Sequence, residues 1–212
     1  MSIAKLARQY EWINKIEGCT IAVIANRSIT EVMEAYCGEP TKPLGNLTFF
    51  ELEKIKHREY DSVPGSHFPF YVQLLNLGDH VIAFEENGWN GSEHSIAKSL
   101  SANGGHLFSV YQDINAYGYL TEARDGQITA SFESLYPLVP EAENDEIRPP
   151  WALGPEIDRE ESSMQTCCAL MEQQTGIRVP QELLTARLPT YRITEFNGIY
   201  QVHHQHWGHS VR

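Results

Sequence analysis

The sequence predicts an α+β fold: an antiparallel sheet of about five or six strands, helices packed on one side of it, and a helical C-terminal appendage. Three observations point there. Short apolar runs rich in β-branched and aromatic residues recur between residues 19 and 133. The joints Gly78-Asp79 and Asp125-Gly126 between such runs are two-residue hairpin signals. Helical spacing of apolar residues returns after residue 160, in MQTCCALMEQQTG.

In chain order, Ile3, Leu6, Ala7, Tyr10, Ile13 and Ile16 recur at helical spacing, and Gly18 stops that helix. CTIAVIA (Cys19–Ala25) reads as a buried strand. Ser28 with Glu31 three residues on is a capping-box signature, and Ile29, Val32, Met33 and Tyr36 form one side of the helix it opens. Residues 40–45 read as a loop, after which Asn46 or Thr48 can cap a short helix through Lys56. HREYDSVPGSHFP, with Pro64, Gly65 and Pro69, is a second loop. FYVQLLNL and HVIAFE then make a hairpin. LFSVYQDIN, YGYLTEA and QITASFE follow as three more strands. From residue 137 the composition turns acidic and proline-rich. The predicted organisation is a sheet domain over 1–136, an acidic linker or wrapping loop over 137–159, a helical appendage over 160–195 packing on the same domain, and a His-rich tail over 196–212. The appendage carries the helix ended by Gly176 and a short helix from Pro180.

Composition bounds the function. The chain has 212 residues, 42% hydrophobic and 21% charged, as in ordinary globular proteins. No apolar run reaches the ~18 residues of a membrane span, and the N-terminus reads as an amphipathic helix, not a secretory signal; the expected compartment is the cytoplasm. The net charge of -12 argues against general nucleic-acid binding, which needs a basic face. Cys19, Cys37, Cys167 and Cys168 form no CxxC and read as small buried thiols.

The segment EENGWNGSEHS, between a strand and a helix, has the look of a phosphate-binding turn. It lacks the Walker lysine and the G-x-G-x-x-G fingerprint, and Glu85, Glu86 and Glu93 oppose an anion. A structural corner is the simpler reading, with Asn87-Gly88 as the turn, Ser92 as N-cap, and Trp89 packed across the corner or exposed as an anchor. Glu85 and Glu86 are a carboxylate pair that converges for acid–base or metal work only where the strand has ended; Asp113 ends another strand nearby. His203, His204, His206 and His209 form a metal-competent cluster, read as an adventitious tail ahead of a structural site. No serine or cysteine has a nucleophile-elbow context.

CTIAVIA, FEENGWNGS, SANGG, SVYQDINA and ARDGQITASFE, in that order, resemble an uncharacterised bacterial family of actinomycete type, a domain of unknown function. The resemblance runs from about Tyr10 to Thr185, and its most specific part is ENGWNGS followed by SVYQDINA and DGQITASFE. It implies a bacterial, cytosolic, accessory protein and carries over no catalytic residues.

The leading functional expectation is a non-catalytic protein-binding module, in its sharpest form an immunity protein whose acidic face neutralises a basic toxin or nuclease. Its binding residues would be Glu85, Glu86, Trp89, Asp113 and Tyr117, with Tyr111 and Tyr119 among the available aromatics. No cofactor, nucleic acid or membrane is expected. The alternative is a metal- or small-ligand-dependent enzyme using carboxylates and histidines near the Glu85–Glu93 corner.

Overall fold

A computed structural model describes residues 2–37, 43–62, 70–115, 117–134, 146–153 and 163–193. Among these described residues the centre is an antiparallel sheet of eight strands: β1 (Cys19–Ala25), β2 (Gly45–Leu47), β3 (Phe70–Leu77), β4 (His80–Glu86), β5 (His106–Gln112), β6 (Gly118–Arg124), β7 (Gln127–Glu133) and β8 (Leu188–Ile193). The spatial order is β2-β8-β3-β4-β1-β5-β6-β7. The α-helices are α1 (Ile3–Ala7), α2 (Ile29–Cys37), α3 (Phe49–Ser62), α4 (His94–Ser101) and α5 (Ser163–Thr175).

The mixed fold with an antiparallel sheet agrees with the sequence, but the sheet has eight strands instead of five or six. The two unforeseen strands have local causes. β2 is three residues long, and β8 contains Pro189, which lacks a ladder N–H and sits opposite Asn46 of β2. The C-terminal segment is therefore not only helical: β8 lies within the sheet, between β2 and β3.

Helices cover both faces, not one. Alternation along each strand sorts the core into two clusters. Ile21, Val23, Ile82, Phe84, Phe108 and Val110 face α5, the N-terminal helical segment and Phe49 of α3. Ala22, Ile24, Val72, Leu74, Val81 and Leu107 face α2 and α4. Central strands buried on both sides lose the polar-out alternation that marks a one-sided sheet. We call these the α5 face and the α4 face. On the α5 face, Trp151 from the acidic segment packs against Phe108 and Phe132 with ring centroids 5.7 and 6.3 Å apart. Ile147 forms a bridge with Ser131 of β7. Residues 146–153 thus wrap onto the sheet; the rest of the predicted linker lies outside the described residues.

Local signals account for the element ends. Ser28 and Glu31 form the predicted capping box, with Glu31 N donating to Ser28 Oγ (3.2 Å) and Ser28 N donating to Glu31 Oε2 (2.7 Å). Thr48 and Glu51 build a second one at α3. The Asp125-Gly126 turn has both residues at positive φ, 49° and 75°. The N-terminal helix tightens to a 3-10 segment at Arg8–Lys15, with a kink at Tyr10. Ser92 is not an N-cap: Glu93 occupies that position, and Ser92 bonds elsewhere. Cys19, Cys167 and Cys168 are free, buried thiols, and burial pushes Cys167 up to about 12. Among the described residues no helix is long and apolar enough to cross a membrane.

The capping geometry gives one expected outcome. Ser28→Ala lowers the unfolding free energy by about 1 kcal/mol in urea titrations, with the slope unchanged.

Candidate functional site

The corner after β4 is built around a carboxylate. β4 pairs with β1 so that Glu85 lies opposite Thr20 and Glu86 opposite Cys19. Alternation sends the two acids to opposite faces. Glu86 turns to the α5 face, where Lys56 of α3 places its Nζ 2.5 Å from Oε2 and donates to the Glu86 carbonyl at 2.5 Å. Glu85 turns to the α4 face and has no exposed surface. Its Oε2 accepts from Asn90 N (3.1 Å) and Asn90 Nδ2 (2.8 Å), and its Oε1 accepts from Gly91 N (2.7 Å).

The glycines in ENGWNGS follow from this. A Cβ on Gly88 would sit 2.5 Å from Glu85 Oε2, and one on Gly91 would sit 2.6 Å from the Tyr36 hydroxyl. Asn87 takes φ 45° at the turn, and the Thr20 hydroxyl donates to the Gly88 carbonyl. Trp89 packs edge-to-face on Phe70, centroids 4.7 Å apart. The turn resembles an anion nest because it is one, and its anion is the chain's own carboxylate. Burial pushes Glu85 up to about 7, against the pull of the Asn90 side chain, the Gly91 and Asn90 amides and the Lys56 charge.

Beside the corner the strands present two polar rows on the α4 face. The first runs Ala83, Ala22, Ser109, Thr121, Ser131 across β4, β1, β5, β6 and β7. Its small side chains admit residues 90–94. Ser92 Oγ lies 3.1 Å from Ser109 Oγ, Thr121 Oγ1 donates to the Ser92 carbonyl, and His94 Nε2 lies 2.7 Å from Ser131 Oγ. Tyr119 meets the same Ser131 hydroxyl at 2.8 Å. Ser131 has no exposed surface and is bonded through both backbone groups to Ile147, so this Ser–His contact is a packing bridge. From there α4 runs to the 125–126 turn, where Gly126 N donates to Ser101 Oγ.

The second row is Glu85, Thr20, Tyr111, Tyr119, Glu133. It lies beyond the first residue of α4. The corner covers its β4 and β1 end, while Tyr111, Tyr119 and Glu133 are partly exposed. Asp113 closes the β5–β6 turn by accepting from Asn115 N (2.8 Å) and Tyr117 N (2.9 Å), which sets Tyr117 beside this row. Burial first, then the charges of Glu133 and Glu146 and of Asp113, push Tyr117 up to about 12. Burial, Asp113, Tyr117 and Glu85 likewise raise Tyr111. The result is a shelf of three tyrosines set among carboxylates.

The predicted site residues thus separate. Asp113 and Tyr117 come together on the shelf, Glu85 is sealed beneath the corner, Glu86 faces the other way, and Trp89 is packed on Phe70. His203, His204, His206 and His209 lie outside the described residues. Among the described residues no group of three or more His, Cys, Asp or Glu side chains is placed to hold a metal ion. Sequence reasoning missed Glu133, Lys56 and the His94–Ser131 bridge. The i, i+2 spacing of Tyr117 and Tyr119 was the one available signal for the shelf; its other members depend on strand register. A second buried carboxylate, Glu122, is held by His106, Thr129 and Arg124 near the opposite end of β6. Burial opposes its ionisation, but these partners outweigh it and keep its pKa low.

A model of a family of unknown function, DUF6461, matches residues 4–195, and the chain belongs to that family. No curated protein and no solved structure matches the chain.

Two outcomes test the corner. Gly91→Ala lowers the unfolding free energy by about 2 kcal/mol, because backbone or the Tyr36 ring must shift to admit the methyl group. Glu85→Gln also destabilises, since one end of the amide sets an NH2 with no acceptor lone pair against the Asn90 or Gly91 donors, where a carboxyl group keeps acceptor capacity on both oxygens even when it carries a proton. The folded-state value of Glu85, about 7, lies above its ordinary 4.5. The stability tied to its proton is therefore whole below the unfolded value and is lost as pH rises through 7. The advantage of the wild type over Glu85→Gln accordingly shrinks between pH 5 and pH 8, by roughly 3 kcal/mol at most. Unfolding titrations of both proteins at each pH measure it.

Proposed function

We propose that this DUF6461 chain is a non-catalytic protein-binding module that engages a basic partner through an acidic face, most sharply as an immunity protein neutralising a toxin such as a nuclease. What supports the reading is the shelf beside the corner. Tyr111 and Tyr119 on their strands and Tyr117 at the β5–β6 turn are partly exposed and set among Asp113, Glu133 and Glu146. Tyrosine offers large contact area with a polar tip at little entropic cost, and it is enriched at interface hot spots. The surrounding carboxylates, in a chain of net charge -12, steer a cationic partner to it. Two of the three carboxylates first expected to serve binding are occupied with folding: Glu85 holds the corner and Glu86 holds Lys56.

The reading is tested by affinity capture from a lysate of the source organism at low and moderate salt. Wild type is compared with Tyr119→Ala and Glu133→Lys, both first checked for native unfolding behaviour. The expected result is one stoichiometric protein retained by the wild type, weakened by salt and lost from both variants. No retained protein at either salt, or equal retention by the variants, would contradict it.

A further inference from the structure

We propose that the group this shelf receives is an arginine side chain of the partner protein, its guanidinium laid on Tyr111 and Tyr119 and closed by the Glu133 carboxylate. The inference rests on the protein-binding reading above and names the chemistry of the partner.

Register supplies the geometry. Tyr111 lies directly opposite Tyr119, and Tyr119 directly opposite Glu133, on three adjacent strands and one face. Adjacent strands are about 4.8 Å apart. One guanidinium over the Tyr119 ring therefore has the carboxylate of the next strand within reach on one side and a second ring on the other. A planar guanidinium stacks on an aromatic face and binds a carboxylate through paired N–H donors; the compact lysine ammonium has neither the plane nor the fork.

The chain uses this combination twice in its own packing. Arg148 lies over the Phe132 ring, 4.9 Å from its centroid, with Nη2 2.7 Å from Glu146 Oε2. Arg192 lies over the Tyr71 ring at 6.0 Å, with Nη2 3.2 Å from Glu59 Oε2. Ring and acid come from different segments in both cases, and a strand supplies the ring. Tyr119 with Glu133 offers the same pair of groups on adjacent strands, at a partly exposed position. Apart from Arg148, which is paired with Glu146, the charges that act on Tyr111 and Tyr117 are negative. Asp113 and Glu85 act on Tyr111, and Glu133, Glu146 and Asp113 act on Tyr117. An anionic or purely apolar partner segment is disfavoured at this place.

The probes are fluorescein-labelled octa-arginine and octa-lysine peptides, titrated by anisotropy at 150 mM salt. That ionic strength screens the general attraction of a -12 chain for any cation. The proteins are wild type, Glu133→Gln, Tyr111→Leu and, as a control on the opposite flank of the α4 face, Glu31→Gln. Wild type and Glu31→Gln are expected to bind octa-arginine at least about tenfold more tightly than octa-lysine. Glu133→Gln and Tyr111→Leu are each expected to bring that ratio close to one, with unfolding midpoints confirming that both remain folded. Equal affinity of the wild type for the two peptides, or a ratio unchanged in Glu133→Gln, would overturn the proposal. A captured partner lost from Glu133→Lys without any arginine preference would overturn the arginine alone and leave the protein-binding reading standing.

Discussion

A carboxylate with no contact with solvent must find its hydrogen bonds within the chain, and meeting that need for Glu85 sets the course of residues 85–92. Three N–H donors from Asn90 and Gly91 converge on it. They reach it only because Gly88 and Gly91 leave room for backbone where side chains would collide. The carboxylate also explains why a turn so rich in amides is not a phosphate site. The position an external anion would take is filled from inside. Removing the acid would leave two backbone donors and an amide without their acceptor in a buried place, at a cost larger than any single bond contributes when made.

The corner in turn decides what the α4 face offers to solvent. With residues 87–91 folded over Glu85 and Thr20, residues 92–94 settle on the small side chains of the next row, and α4 leaves toward the 125–126 turn. The sheet therefore grades from an apolar core under α2 and α4, through a row of hydroxyls, to a row carrying Tyr111, Tyr119 and Glu133. The acidic aromatic shelf and the buried acid are consecutive parts of one construction. Its edge on β7 is finished by Ile147 and Glu146, which take up the backbone groups of Ser131 and the Glu133 amide.

Local chemistry was legible and long-range pairing was not. The six strands read from apolar runs and turn residues are present near their expected bounds, as are the Ser28–Glu31 box and the Gly176 stop. β2 and β8 escaped notice because one is too short for a period and the other carries a proline. The assignment of helices to one side failed because nothing local says to which face a connection returns. The opposed directions of Glu85 and Glu86 follow from alternation and were readable. The burial of Glu85 was not, since an acid at a strand end ordinarily meets water. Tyr117 and Tyr119 share a face by spacing alone, but their meeting with Tyr111 and Glu133 needs the register of β5, β6 and β7.

Amide hydrogen exchange at Asn90 and Gly91 tests the central claim, that a buried carboxylate holds this corner closed. Near neutral pH both amides should exchange as slowly as those of β1 and β4, opening only with the surrounding sheet. Exchange as fast as at the exposed Gly78-Asp79 turn would contradict the account, since amides bonded to a sealed carboxylate cannot open alone.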